Sequence, residues 1–178
     1  MKVIGPLMWE HRLIERIIPL LRAEEQRLRS SGEFDGEFAA AALDFFRTYA
    51  DRCHHGKEEE ILFKGLAGKD LAAEHRRMME ELLAEHVEAR SVVGQLEAAG
   101  RRCASGDRSA LGDVAAALGR LAELYPPHIE KEDKRFFYPS MDYLTEQEQE
   151  ALLKEFLEFD QKLIHEKYQQ TVDAMEKG

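Results

Sequence analysis

Apolar residues in this chain recur at intervals of three and four positions and almost never at two, which predicts helix throughout. The first helix is expected to open at Pro6, after Gly5, and to run through Leu13, Ile17 and Leu21 to about Arg29. Ser30-Ser31-Gly32 stops it, and Pro19 within it predicts a kink or one lost backbone bond. A second helix starts near Asp35, a good N-cap, and carries Phe38, Leu43, Phe46, Ala50, Ile61 and Leu62 on one side until Gly65 and Gly68. A third runs from about Ala73 through Met78, Leu82, Val93 and Leu96 to Ser105-Gly106-Asp107. The fourth begins near Ser109 and carries Val114, Leu118 and Leu121; Pro126-Pro127 should bend or restart it before it stops at Pro139. A fifth opens at Thr145-Glu146-Gln147-Glu148, which fits a capping box, and continues to about Glu176. Long helices with short connections predict an all-α fold: an antiparallel up-and-down four-helix bundle over about residues 6–140, with an additional C-terminal helix over about 145–176. The 178 residues suit a single domain, 1–178.

Composition narrows the function. A formal net charge of −10 argues against nucleic acid or an anionic membrane surface as partner, because both need a basic face. No apolar run approaches the ~20 residues that span a bilayer, and the N-terminus shows no apolar signal segment. Cys53 and Cys103 have no CxxC spacing and read as reduced thiols, so a cytoplasmic protein is expected. Oligomeric state is not readable. No phosphate-binding glycine loop, dinucleotide fingerprint or nucleophile elbow is present.

Histidine placement changes the picture. Seven histidines stand at 11, 54, 55, 75, 86, 128 and 165, and the chain holds 25 Glu, so chance would put Glu four residues after a His about once. It occurs four times: His11–Glu15, His54–Glu58, His55–Glu59 and His128–Glu132, the middle two overlapping. On a helix, residues i and i+4 share a face at roughly 5–6 Å between Cβ atoms. An imidazole can then bind a metal while the carboxylate reaches a second one about 3.5–4 Å away, and mixed imidazole and carboxylate donors suit iron or manganese.

Register supports the same grouping. His11 lies 19 residues before the first connection (30–35) and His54 lies 19 after it; His86 lies 19 before the third connection (105–108) and His128 lies 20 after it. At about 1.5 Å per residue, one histidine from each helix can share a layer, whereas His75 sits about 15 Å away from it. Stepping 100° per residue along the second helix, Leu43 and Ile61 fall about 20° from His54 and Glu58 about 40°, but His55 falls at about 100° and Glu59 at about 140°. His54 and Glu58 are therefore placed on the core face and His55 at its edge.

The sequence resembles the hemerythrin-like, or HHE cation-binding, proteins over most of its length. The resemblance is carried by Trp9-Glu10-His11, by Cys53-His54-His55-Gly56-Lys57-Glu58-Glu59-Glu60-Ile61-Leu62-Phe63, by Ala84-Glu85-His86 with Arg90 beyond, and by His128-Ile129-Glu130-Lys131-Glu132-Asp133 running into Phe136-Phe137-Tyr138-Pro139. It implies a non-haem di-iron site (or iron with manganese) bridged by an oxo or hydroxo group. Ligand roles pass to His11, His54, Glu58, His86, His128 and Glu132, with both glutamates bridging. The chain departs from the oxygen carriers, which have a second histidine four residues from the first on the third helix; here Leu82 and Arg90 flank His86. Asp133 could replace Glu132, and His55 or His165 could supply a fifth histidine, so one iron can have an open position for dioxygen, peroxide or nitric oxide.

Plainer readings apply to the remaining features. His75, next to Glu74 and Arg76, reads as surface, Glu15 as a charge offsetting a helix start, and Cys53 as a small apolar residue. Phe45, Phe46, Tyr49, Phe63, Phe136 and Phe137 read as core, some of them lining the metals. Surplus acids in Glu58-Glu59-Glu60 and Glu130-Lys131-Glu132-Asp133 read as solvated face. Three functions remain open: a di-iron protein binding or sensing dioxygen or nitric oxide or handling iron, a di-iron enzyme (an oxidase, a peroxide-handling protein or an iron donor for Fe–S repair), or a metal-free helical interaction module. The absence of any ExxH argues against the ferritin-like carboxylate bundles.

Overall fold

The computed structural model describes the backbone of residues 2–177 and the side chains of residues 2–164 with Lys167. Among the described residues there is no strand. Helix α1 is Ile4–Ser31, α2 covers residues 36–67, α3 is Ala73–Ala104, α4 covers residues 111–140 and α5 is Glu146–Lys177. Single 3-10 turns at Arg108–Ala110 and Met141–Tyr143 lead into α4 and out of it. No helix among the described residues is long and apolar enough to cross a membrane.

Local chemistry sets most boundaries. Gly32, at φ 66°, takes the left-handed conformation that ends α1 and gives its N–H to the Leu28 carbonyl. Asp35 caps α2 by accepting from the Phe38 N–H at 2.9 Å. At the start of α5 the Thr145 N–H donates to the Glu148 carboxylate at 2.9 Å and the Glu148 N–H returns to the Thr145 hydroxyl at 3.2 Å, a complete capping box.

Two local expectations are corrected. Pro126-Pro127 do not restart α4, which stays α-helical over Leu111–Lys131. Proline at 126 removes the N–H that would bond to the Ala122 carbonyl, and the Arg22 guanidinium from α1 donates to that carbonyl instead, at 3.3 Å. Nor is α2 a regular α-helix: Phe45–His55 and Glu58–Phe63 are wide π-turns, as is Glu132–Phe136 in α4. A π-turn closes from i to i+5 and so advances less per residue than an α-helix, keeping consecutive side chains on one face longer.

The buried apolar residues form two clusters. One holds Ile14, Leu21, Phe46, Leu96, Leu118 and Leu121; the other holds Ile4, Leu7, Leu62, Leu82, Phe136 and Phe137. Burying each of these large side chains contributes about 1.5–3 kcal/mol. Along α1 and α3 the second cluster comes first, and along α2 and α4 the first does. Between the clusters every one of these four helices carries a buried polar residue. Helix α5 lies against the wide turns of α2 with Phe156 and Leu152 buried. It passes close to Gly56, where an added Cβ would stand 2.7 Å from Phe159 Cζ.

Candidate metal centre

The polar layer consists of His11 from α1, His54, His55 and Glu58 from α2, His86 from α3, and His128 and Glu132 from α4; none is more than 2% exposed. They fall into two groups with donor atoms close enough to share an ion: His11, His54, Glu58 and Glu132, and His55, His86 and His128. The two carboxylates link the groups. Glu58 turns one oxygen to His54 Nε2 and the other to His86 Nε2, each at 3.4 Å. Glu132 turns one oxygen to His11 Nε2 at 3.1 Å and His128 Nε2 at 3.3 Å, and the other to His86 Nε2 at 3.8 Å.

Four of the five imidazoles are held from behind by carboxylates. His11 Nδ1 is 2.8 Å from Asp133, His54 Nδ1 2.9 Å from Glu10, His86 Nδ1 2.8 Å from Glu59 and His128 Nδ1 2.8 Å from Glu85. A carboxylate accepts only, so each Nδ1 carries a proton and each Nε2 faces the centre. Every one of these carboxylates adjoins, in sequence, an inner residue of a different helix: Glu10 precedes His11, Glu59 follows Glu58, Glu85 precedes His86 and Asp133 follows Glu132. Cations fix them in turn. Arg12 pairs with Asp133, Arg90 Nη2 donates to Glu59 at 2.7 Å, and Lys131 Nζ donates to Glu85 at 2.5 Å. Lys57, fully buried, pairs with Glu10 and also with Asp160 of α5 at 2.8 Å.

The centre itself is unsatisfied. All four oxygens of Glu58 and Glu132, Nε2 of His86 and His128, and both nitrogens of His55 are buried without a hydrogen-bond partner. Buried polar atoms rarely stand so, and one such group costs about 1–3 kcal/mol. Protons share the strain. Burial would lower His11, but Asp133 and Glu132 overcome it and raise its pKa to about 9. Burial, with His11's charge added, depresses His54 to about 4. His11 Nε2 stands 2.9 Å from His54 Nε2 and 3.1 Å from a Glu132 oxygen. Burial and the facing Glu132 push Glu58 well above the usual carboxylate range, while the imidazoles, His128 first, overcome burial and hold Glu132 well below it. Convergent imidazole and carboxylate donors, short of cations, fit a metal of the iron or manganese type.

The structure brings His11, His54, Glu58, His86, His128 and Glu132 together and adds His55, which the α-helical angle had put at the edge. The wide turn over Phe45–His55 rotates it inward, 3.9 Å from His86 between ring centroids. Asp133 and Glu59 are not solvated surplus: they hold His11 and His86, and Asp133 stands behind the cluster while Glu132 is within it. Glu15 is outside, paired with Arg12 at 2.9 Å, and His75 bonds to the Tyr143 hydroxyl at 2.8 Å. The side chain of His165 lies outside the described residues. Phe137 stacks on His11 and Phe63 on His86, and both are buried. Burial pushes the Cys53 thiol up to about 12, and its sulfur is 3.4 Å from Asp160. Glu10, Glu85 and Lys57 carried no periodic signal of their own; their sequence mark is adjacency to a candidate ligand within the motifs of the resemblance.

Compared with known protein families, the chain matches the hemerythrin HHE cation binding domain over residues 4–139. A comparison with curated proteins finds no match.

Proposed function

The chain belongs to the hemerythrin HHE cation-binding family, and on that premise we propose that it holds two non-haem irons and uses them to bind or sense dioxygen or nitric oxide. Its ligands are His11, His54, Glu58, His86, His128 and Glu132, with His55 completing the second group. The observation that carries this reading is the pair of buried carboxylates whose four oxygens lack partners and face imidazole nitrogens on both sides. A metal-free interaction module has no use for that arrangement, which costs stability unless cations occupy it. The reversed order of the two apolar clusters on successive helices supports an antiparallel four-helix bundle, one domain with α5 added to it.

Bound iron would supply reversible capture of a diatomic ligand and one-electron chemistry. The chain's own contributions are specific. Asp133, Glu10, Glu59 and Glu85 keep a proton on each Nδ1 and so keep Nε2 free to ligate. Glu58 and Glu132 would hold both metals: Glu58 turns one oxygen toward each histidine group, and Glu132 faces His11 of one group and His86 and His128 of the other. Phe63 and Phe137 cover imidazole faces and keep water from the centre.

The test is elemental analysis of protein purified without chelator, with absorption spectra before and after admission of air. About two irons per chain and new near-ultraviolet and visible bands are expected. Bands that vanish when oxygen is removed identify a binding protein, and bands that decay irreversibly identify an oxidase. Protein that stays metal-free after anaerobic incubation with ferrous ion overturns the proposal.

A further inference from the structure

Two exposed apolar stripes meet over the outer side of α2. On α1, stepping 100° per residue away from the buried line of Leu7, His11 and Ile14, Glu10 comes next, and beyond it Leu13, Leu20 and Trp9. On α5 the buried line of Leu152, Phe156 and Leu163 is followed by Asp160, and beyond it by Leu153, Ile164 and Leu157. Lys57 of α2 pairs with both Glu10 and Asp160, so the two helices turn their second stripes to the same side. They also follow one direction along α2. Helix α1 meets the two apolar clusters in the opposite order to α2, and α5 passes Gly65 with Leu152, Gly56 with Phe159 and Asp44 with Lys167. With Glu10 and Asp160 level, Trp9, Leu13, Leu157 and Ile164 lie within about 6 Å of that level along the axes.

Trp9 is 71% exposed, Leu157 64%, and Leu20 and Ile164 56% each, whereas Leu13 and Leu153 are half-buried. Single exposed apolar residues are ordinary, but a patch of them marks an interaction surface. This one offers roughly 500 Å² of apolar area. A standard interface buries about 800 Å² per partner, about 55–65% of it apolar, which is what the patch supplies. We infer that this face is a two-fold interface between two copies of the chain, with α5 of each copy laid between α1 and α5 of the other. Symmetry favours a second copy: Leu157 stands three residues before Asp160 and Ile164 four after it, so an axis beside Asp160 sets Leu157 of one copy against Ile164 of the other, and the reverse. Charge favours the same face. Two chains of net charge −10 repel, and here the charges between the stripes, Glu10, Lys57 and Asp160, are already paired with one another. The inference goes beyond the metal reading and does not depend on it.

Sedimentation equilibrium of the full chain from about 1 to about 100 μM reads the association, and Trp9, the one tryptophan, reports where it occurs. A monomer–dimer equilibrium is expected, with Trp9 emission moving to shorter wavelength as dimer forms. Raising salt from about 0.05 to about 0.5 M should tighten the dimer, because screening relieves repulsion between the acidic chains. Leu157→Ser and Trp9→Ser, both at exposed positions, should each weaken association at least tenfold while circular dichroism and iron content stay as in the parent. Val87→Ser, at an equally exposed position on α3 outside the face, should dimerise as the parent does. A chain still monomeric at the highest concentration would leave the face to a different protein and overturn the inference. So would a dimer with unshifted Trp9 emission, one loosened by salt, or one weakened as much by Val87→Ser as by Leu157→Ser.

Discussion

Replacing Lys57 by methionine tests how the centre is braced. Lys57 is fully buried and faces Glu10 and Asp160. Burial would raise the pKa of Glu10; bonds and charge from His54, then Lys57, hold it below the usual carboxylate range. Methionine keeps the apolar stem and deletes the charge. Removing one partner of a buried pair typically costs 3–5 kcal/mol, and the half-exposed Asp160 recovers some of that from solvent, so about 3 kcal/mol is expected for the metal-free chain. At roughly 2–4 °C per kcal/mol for a domain of this size, Tm should fall by about 6–12 °C. Glu10 would then lose one of the two partners that hold it ionised, weakening its grip on His54 Nδ1. Loss of such an outer partner lowers metal affinity about 10–100-fold. Thermal unfolding followed by circular dichroism reads the first effect, and competition for ferrous ion against a chelator reads the second. Asp160→Asn alone should be milder, and in a double-mutant cycle the two changes should couple by more than about 0.5 kcal/mol. A Lys57→Met protein that melts within 2 °C of the parent at unchanged iron affinity would show that the buried chain from α5 to His54 does not support the centre.

Other outcomes follow from the same geometry. His54→Ala or His128→Ala should remove most bound iron, whereas His75→Ala loses only its bond to Tyr143, about 1 kcal/mol of stability, and should keep the metal; elemental analysis separates them. Loading metal at pH 7 should release at least one proton, from His11, and that release should fade as pH rises through about 9; calorimetry in buffers of different ionisation enthalpy measures it. Because His11 is raised above 6.5, its protonation stabilises the metal-free fold fully below pH 6.5 and progressively less as pH approaches and passes 9, so metal-free Tm should carry that slope. Gly56→Ala would drive a methyl into Phe159 and should shift α5 away from α2, seen as faster reaction of Cys53 with a thiol reagent than in the parent chain.

The helices were readable because their periodicity is a direct record of burial, and three of their ends because Gly32, Asp35 and Thr145 act locally. What escaped depends on partners far along the chain. Pro126 looked like a bend or a restart, since nothing nearby in sequence announces that Arg22 will cover the Ala122 carbonyl. His55 looked peripheral because 100° per residue assumes α geometry, and wide turns leave no composition signature. The six inner residues were legible through spacing and register, whereas the carboxylates behind them pair across 27 to 122 positions and read as ordinary acids. Adjacency was the usable signal: an acid beside His11, Glu58, His86 and Glu132, each pointed at the histidine of another helix.

The division of the apolar core into two clusters bears on how the chain unfolds. Without metal, the layer between them contributes repulsion and unmet hydrogen bonds where a continuous core would contribute cohesion. Opening free energies then differ along each helix: amides near the layer exchange through local opening, while those within either cluster wait for a larger event. Cations in the layer bind both clusters' helices at once, so loading should merge two partly independent folding units into one. On the proposed reading iron would be a component of cooperativity in this chain, and its loss would turn a single unfolding step into a staged one.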